Sequence, residues 1–137
     1  MNIATYSPHP WDVLDTQLEL GQYQFVQLTG ELKDMVRQLT AQKYDLVFLM
    51  GFEPNNPQYI HEVEKLCLAL LGATIVALHP GIQPDLLLSL MRAGVREVIA
   101  DSTAQTLQYV IERAQLRLKG VSMNIGRVFG FVAAKGG

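Results

Sequence analysis

Five short apolar runs alternate with segments of helical periodicity along most of the chain. The run at residues 46–50 is apolar without interruption, which is typical of a parallel strand covered on both faces. We predict strands at residues 2–6, 23–28, 46–50, 74–78 and 97–100. The strict strand–helix alternation predicts an α/β domain in which a parallel sheet carries helices on both faces.

Helices are predicted between and after these strands. One covers residues 10–20, a second carries Leu32, Met35, Val36 and Leu39 on one face, and others cover residues 58–71 and 84–93. Gly94 is the expected C-cap of the helix before it. A capping box beginning at Ser102 opens the last helix, and its predicted buried stripe is Leu107, Val110, Ile111, Ala114 and Leu118. Because parallel crossovers are right-handed, the favoured topology is a flavodoxin-like, doubly wound sheet of five strands in the order 2-1-3-4-5.

Composition narrows the class of protein. The 137 residues are 49% hydrophobic and carry a net charge of −2, with no basic stripe of the kind that binds nucleic acid. A single cysteine, Cys67, excludes an internal disulfide and suits a reducing compartment. The apolar runs are shorter than the roughly 20 residues of a membrane span. We therefore expect a soluble cytoplasmic domain that neither binds nucleic acid nor inserts into a membrane.

The last ten residues form a different kind of pattern. An apolar strand is predicted from Val128, and it leads into Lys135, Gly136 and Gly137. A phosphate-binding loop needs a glycine-rich turn, a lysine and a hydroxyl residue, and here only its beginning is present. We expect residues 1–119 to form one domain. Residues 120–137 would then comprise a linker at 120–126, followed by the first strand and the incomplete phosphate loop of an ATPase domain in a longer protein.

Two segments resemble the receiver domains of bacterial response regulators, the CheY-like family, and the resemblance covers residues 1–119. Residues 45–54, DLVFLMGFEP, match the third strand of that family and the loop after it, and Pro54 keeps the family's proline. Residues 94–99, GVREVI, match the segment that leads into its fifth strand. In receivers the third strand ends in a phosphate-accepting aspartate, and Met50 occupies that position.

The other positions that the resemblance assigns to phosphorylation are altered as well. Ser7 and Pro8 replace the acidic pair after the first strand, and His79 lies in place of the hydroxyl residue after the fourth. The lysine after the fifth strand corresponds to Ala100 or Asp101. Since phosphoryl transfer needs oxygen ligands for magnesium and a nearby cation, the resemblance implies a pseudo-receiver with no catalytic residue, metal or cofactor of its own.

The terminal Lys-Gly-Gly resembles the start of the deviant loop K-G-G-x-G-K-[ST] of MinD/ParA ATPases. A pseudo-receiver before such an ATPase is similar to the TadZ/CpaE group, which acts in assembly of Flp (type IVb) pili and is related to type II/IV secretion. The resemblance implies a docking or dimerisation domain with protein partners in that machine, positioned at the inner face of the membrane or at a cell pole. ATP and magnesium are expected for the longer protein, with Lys135 reaching the nucleotide of a partner subunit.

Two other functions stay open. A displaced carboxylate, Glu53 or Asp101, could accept phosphate in an active switch, although Glu53 is more simply explained as a solvated loop residue. A small ligand could bind the crevice at the strand ends, where His79 would contact a phosphate or a metal. The simpler interpretation of His79, a loop histidine before proline, is favoured.

The helix predicted at residues 84–93 carries apolar side chains nearly all the way round. Five of them, Leu86, Leu87, Leu88, Leu90 and Met91, exceed what one buried face requires. Receiver-like domains commonly self-associate through this region, so Leu87, Leu90 and Met91 are candidate residues of a homodimer interface. The alternative is a helix that is embedded more deeply than usual.

Overall fold

The sheet has the predicted topology. In the computed structural model, residues 1–9, 24–53, 55–101 and 103–124 are described, without the side chains of residues 24, 25, 104 and 119–124. Five parallel strands lie in the order β2-β1-β3-β4-β5. Their bounds are β1 Asn2–Ser7, β2 Gln24–Thr29, β3 Leu46–Met50, β4 Thr74–Leu78 and β5 Glu97–Ile99. The CheY-like, doubly wound α/β fold is therefore confirmed.

Four α-helices lie in the described part of the chain. They are α1 Met35–Leu39, which continues a 3-10 turn at Leu32–Asp34, α2 Pro57–Ala69, α3 Pro84–Ala93 and α4 Ala104–Asn124. The helix predicted at residues 10–20 lies outside the described residues. None of the helices in the described ranges is long and apolar enough to cross a membrane.

The core is divided into two clusters by the sheet. On one face, Met35 and Leu39 of α1, Tyr59 and Val63 of α2, and Leu90 of α3 pack against the strands. On the other face, the stripe of α4 packs on alternate strand residues such as Phe48, Val76 and Ile99. Because successive strand side chains point to opposite faces, the uninterrupted run of β3 is divided between the two clusters, as expected for a strand covered on both sides.

The ends of α2 and α3 follow from local sequence. Asn56 caps α2, because its side chain accepts a hydrogen bond from the Gln58 backbone N–H at 2.9 Å, and Pro57 occupies the first turn. The α3 helix ends at Gly94, as predicted, with a φ of 118°. A Cβ at Gly94 would lie 2.6 Å from Cys67 Cβ, so glycine also permits the close approach of α2.

Two predictions about the last helix are wrong. Leu118 is 38% exposed, since the helix at that point lies at the first residues of β4, where Arg117 bonds to Thr74. Ser102, the first residue of the predicted capping box, lies outside the described residues, and Thr103 Oγ1 accepts the Thr106 backbone N–H at 3.3 Å. Residues 120–124 continue the helix where a linker was expected. Residues 125–137, with the predicted strand and phosphate loop, lie outside the described residues.

Candidate functional site

The altered phosphorylation positions meet at one edge of the sheet. In a parallel sheet all carboxyl ends lie at the same edge, where ligands of open α/β sheets bind. Ser7 ends β1, Met50 ends β3, His79 follows β4 and Asp101 lies two residues beyond β5. These four positions therefore lie at the carboxyl ends of their strands, and the chemistry available there depends on the surroundings of each side chain.

Met50 is enclosed in the core. Its side chain is 1% exposed and belongs to the apolar cluster that also contains Leu78 and Leu107. A thioether has no acidic oxygen that could accept a phosphoryl group, and this one is also shielded from solvent. The position at which receivers carry their acceptor is here part of the hydrophobic core.

The β1 loop closes against the β3 loop. Ser7 is buried, and its hydroxyl donates a hydrogen bond to the backbone carbonyl of His9. Gly51, directly after β3, has a φ of 79°, and a Cβ there would lie 3.1 Å from Pro8 Cδ. The Ser7 hydroxyl therefore has an internal partner, and the close packing of the two loops leaves little room between Pro8 and Gly51.

His79 is paired with a tyrosine that the sequence analysis did not single out. The Tyr59 hydroxyl lies 2.9 Å from His79 Nε2, and the two rings meet edge to face with centroids 5.4 Å apart. Burial lowers the pKa of His79, an effect that the negative charge of Glu53 partly opposes. Burial also raises the pKa of Tyr59. Both groups are therefore held in their neutral forms, and the Tyr59 hydroxyl and His79 Nε2 share one hydrogen bond whose direction follows the tautomer of the imidazole.

An aromatic row continues from this pair toward β1. Phe52 stacks between Tyr59, at 5.6 Å between ring centroids, and Tyr6, at 5.9 Å. The Tyr6 hydroxyl, at the far end of the row, donates a hydrogen bond to the Glu31 backbone carbonyl at 2.7 Å. A helical wheel of residues 58–71 would have indicated Tyr59, because it lies four residues before buried Val63. No sequence signal joins Tyr59 to His79, which are 20 residues apart.

The two candidate displaced acceptors differ in their surroundings. Asp101 accepts hydrogen bonds from the Thr103 N–H at 3.1 Å and from its hydroxyl at 2.9 Å. Hydrogen bonding to Thr106 and Thr103 lowers the pKa of Asp101, so this carboxylate is part of the entry into α4. Glu53 is exposed and lines, with His79 and Leu86, a cleft of about 350 Å³. Pro54, the residue that kept the family's proline, lies outside the described residues.

The residues at this edge do not fit a magnesium ion. Magnesium binds oxygen ligands, usually one or two carboxylates together with waters. The edge offers a serine hydroxyl that is already bonded, a buried thioether and a buried imidazole. Of its carboxylates, Asp101 is bonded to Thr103, and Glu53 is exposed with no second carboxylate among the residues that line its cleft. In the ranges that the structure describes, no group of three or more His, Cys, Asp or Glu side chains is placed to hold a metal ion.

One of the three candidate interface residues is excluded. Leu90 is fully buried in the core between α3 and the sheet, so it cannot contact a second chain. Leu87 is half-buried, Met91 is 46% exposed, and Leu88 beside them is 52% exposed. The additional apolar side chains of α3 therefore form an exposed flank, and the helix is not embedded more deeply than usual. Lys135, Gly136 and Gly137 lie outside the described residues.

Comparison with known proteins is informative at the level of structure. No protein-family model matches the chain, and no curated protein matches it in sequence. A CpaE pilus assembly protein of Burkholderia thailandensis superposes with a TM-score of 0.69 at 24% identity, over 84% of this chain and 98% of that one. A CheY-like protein, TadZ, of Pseudomonas aeruginosa gives 0.64 at 25% identity, over 82% and 98%.

Response regulators give similar scores at lower identity. A two-component response regulator of Clostridium difficile has a TM-score of 0.67 at 14% identity, over 86% of this chain and 98% of that one. Both resemblances stated from the sequence, to CheY-like receivers and to the TadZ/CpaE group, are thus matched by solved structures. The chain has the CheY-like receiver fold, and its structural neighbours are CpaE and TadZ pilus assembly proteins together with response-regulator receivers.

Proposed function

We propose that this chain is a receiver-like docking and dimerisation domain of a pilus assembly protein, that it is not regulated by phosphorylation, and that it catalyses no reaction itself. The observation that carries the proposal is the burial of Met50 at the acceptor position, inside an apolar cluster. With that position closed, the domain acts through contacts with a second copy and with components of the pilus or secretion machine. Any ATP and magnesium chemistry belongs to a MinD/ParA-type domain whose first strand would begin at Val128 and whose phosphate loop would include Lys135.

The surface proposed for dimerisation lies beside β5. Helix geometry places Met91 and Ala93 on opposite sides of Leu90, and Ala93 lies next to Cys67 of α2. Leu87 and Met91 therefore lie on the flank that faces away from α2, toward the edge strand β5. On the other side of β5, Arg113 forms an ion pair with Glu97.

This surface has the composition of an interface. Exposed apolar groups lie at its centre, and the Glu97–Arg113 pair lies at its rim, with the Arg113 guanidinium 4.9 Å from the Tyr109 ring centroid. Its self-complementary use by two copies would give an isologous dimer. Because the surface extends from α3 across β5 to α4, we favour a dimer interface that uses all three elements over a contact made by α3 alone.

Phosphorylation is tested by mass spectrometry. The chain is incubated with acetyl phosphate and magnesium, beside a phosphorylatable receiver as positive control. We expect no added phosphoryl mass on this chain. An adduct that disappears in Glu53→Gln or Asp101→Asn would establish a displaced acceptor and overturn the proposal in favour of an active switch.

Dimerisation is tested by sedimentation velocity. We expect a dimer that becomes a monomer when Leu87 and Met91 are both changed to aspartate, because the substitutions place charges in an apolar contact. Leu68→Asp, at a leucine on α2 that is 66% exposed, is the matched control and should leave the dimer intact. A monomer at all concentrations for the unaltered chain would exclude this interface and leave partner docking as the only role.

A further inference from the structure

A groove opens at the opposite edge of the sheet, where β4 begins. Its apolar walls are Leu71 and Ala73 after α2, Ile75 of β4, and Leu118 of α4, and its volume is about 590 Å³. Leu71 is 82% exposed and lies beside Leu118, which is 38% exposed, so the groove presents neighbouring apolar side chains to solvent. We refer to these residues, with Arg96 and Arg117, as the amino-end groove.

The charged residues that line the amino-end groove are both arginines. Arg96 is exposed, and among the described residues it has no ion-pair partner. Arg117 donates a hydrogen bond through Nη1 to Thr74 Oγ1 at 2.7 Å, which holds its guanidinium at the groove. Among the residues that the structure describes, no acidic side chain lines the groove. The nearby carboxylate, Glu97, is already paired with Arg113.

The arginines crowd one another. Burial lowers the pKa of Arg117, and the positive charges of Arg96 and Arg113 lower it further, against the opposing effect of Glu97. Like charges held this close, while the nearby Glu97 carboxylate is already paired with Arg113, cost folding free energy. A bound anion would relieve that cost, since a guanidinium binds a carboxylate through two parallel hydrogen bonds.

We propose that the amino-end groove binds an acidic segment of a protein partner, with a leucine-like side chain against Leu71 and Leu118 and carboxylates on Arg96 and Arg117. The combination of a concave apolar floor and arginines without acidic neighbours is complementary to alternating acidic and apolar residues. The site lies at the other edge of the sheet from the altered phosphorylation positions. It does not depend on dimerisation or on the absence of phosphorylation.

Membranes and nucleic acids fit the surface less well. Binding to anionic lipid uses clusters of several Lys and Arg, each contributing about 1 kcal/mol, and binding to DNA neutralises many phosphates along a stripe. This groove offers two arginines in a concave apolar site, on a chain whose net charge is −2. A short acidic peptide meets those constraints.

The experiment is an NMR titration of the ¹⁵N-labelled chain. The probe is a synthetic twelve-residue peptide in which glutamate alternates with leucine, and the control peptide has lysine in place of glutamate. We expect saturable amide shifts centred on Gly72, Ala73 and Gly94 with the acidic peptide only. Arg96→Glu and Leu71→Asp should each weaken binding about tenfold or more, the equivalent of at least ~1.4 kcal/mol.

Matched variants elsewhere exclude a general effect of charge. Arg37→Glu on α1 and Leu116→Asp, at a leucine of α4 that is 66% exposed, should bind the peptide as the unaltered chain does. Both altered residues of the groove are exposed, so each variant is checked for a melting temperature that is not below that of the unaltered chain. The proposal is overturned by an absence of saturable shifts, by shifts centred elsewhere, or by equal binding of the lysine peptide. Displacement of the peptide by phosphatidylglycerol vesicles or by a 20-base-pair duplex would also overturn it, in favour of those ligands.

Discussion

The two edges of the sheet differ in how their polar groups are satisfied. At the carboxyl edge, Ser7 bonds to a neighbouring carbonyl, His79 to Tyr59, and Asp101 to Thr103. At the amino edge, Arg96 has no described partner of opposite charge, and Leu71 is almost fully exposed. In an active receiver the carboxyl edge would hold reactive groups. Here its polar groups bond to one another and stabilise the domain. The groups without such partners, Arg96 and Leu71, lie at the amino edge.

This difference implies opposite responses to mutation. Changes at the carboxyl edge should cost stability, because they disturb buried and bonded groups. Changes at the amino edge should leave stability nearly unchanged and affect binding alone. Stability measurements on single variants therefore test the distinction before any partner is known.

Met50→Asp should have the largest effect. The substitution restores the residue type of an acceptor but places a carboxyl group in an apolar cluster without a partner, at a cost on the order of 4 kcal/mol. Urea denaturation measures the loss, and acetyl phosphate should still add no phosphoryl mass to the variant. Met50→Leu, a volume-conserving control, should cost less than about 1.5 kcal/mol. A stable, phosphorylatable Met50→Asp protein would show that the carboxyl edge is still an active-site scaffold.

Tyr59→Phe should cost about 1–3 kcal/mol, because it leaves the buried His79 Nε2 without its hydrogen-bond partner. Tyr44→Phe is the matched control, since the Tyr44 ring is also buried but its hydroxyl has no described protein partner. That control should change the free energy of unfolding by less than about 0.5 kcal/mol. Equal effects of the two substitutions would mean that the Tyr59–His79 hydrogen bond contributes nothing to stability.

The same pair predicts a pH dependence of stability. The pKa of His79 is lower in the folded chain than the ordinary value of about 6.5 that it has when unfolded. Below that ordinary value His79 binds a proton in the unfolded chain but not in the folded chain. The free energy of unfolding therefore falls as the pH decreases toward the folded pKa. The slope is at most about 1.4 kcal/mol per pH unit, the limit for one proton, and above the ordinary value it vanishes. Denaturation at several pH values should show this slope for the unaltered chain and lose it in His79→Gln.

Sequence reasoning predicted the strands and their order but not the contacts between distant side chains at either edge of the sheet. The bounds of β3, β4 and α3 follow from uninterrupted apolar runs and from Gly94, because periodicity and glycine caps are local signals. The pairing of Tyr59 with His79 and the convergence of Leu71, Arg96 and Arg117 depend on how distant elements pack. Leu90 shows the same limit, since the composition of α3 does not say which of its leucines faces the sheet.

Arg96→Glu should have the smallest effect on stability and the opposite sign. The change removes a positive charge beside Arg117 and supplies a counter-charge, so we expect a gain of about 0.2–0.5 kcal/mol at low salt. The gain should disappear at 1 M salt, where the Debye length is about 3 Å. Arg37→Glu, which breaks the exposed ion pair with Asp34, should shift stability by a similar amount in the unfavourable direction. If Arg96→Glu stabilises the fold and weakens peptide binding, the role of Arg96 is to bind a partner. If Arg96→Glu lowers the stability instead, Arg96 is a structural residue like those of the carboxyl edge.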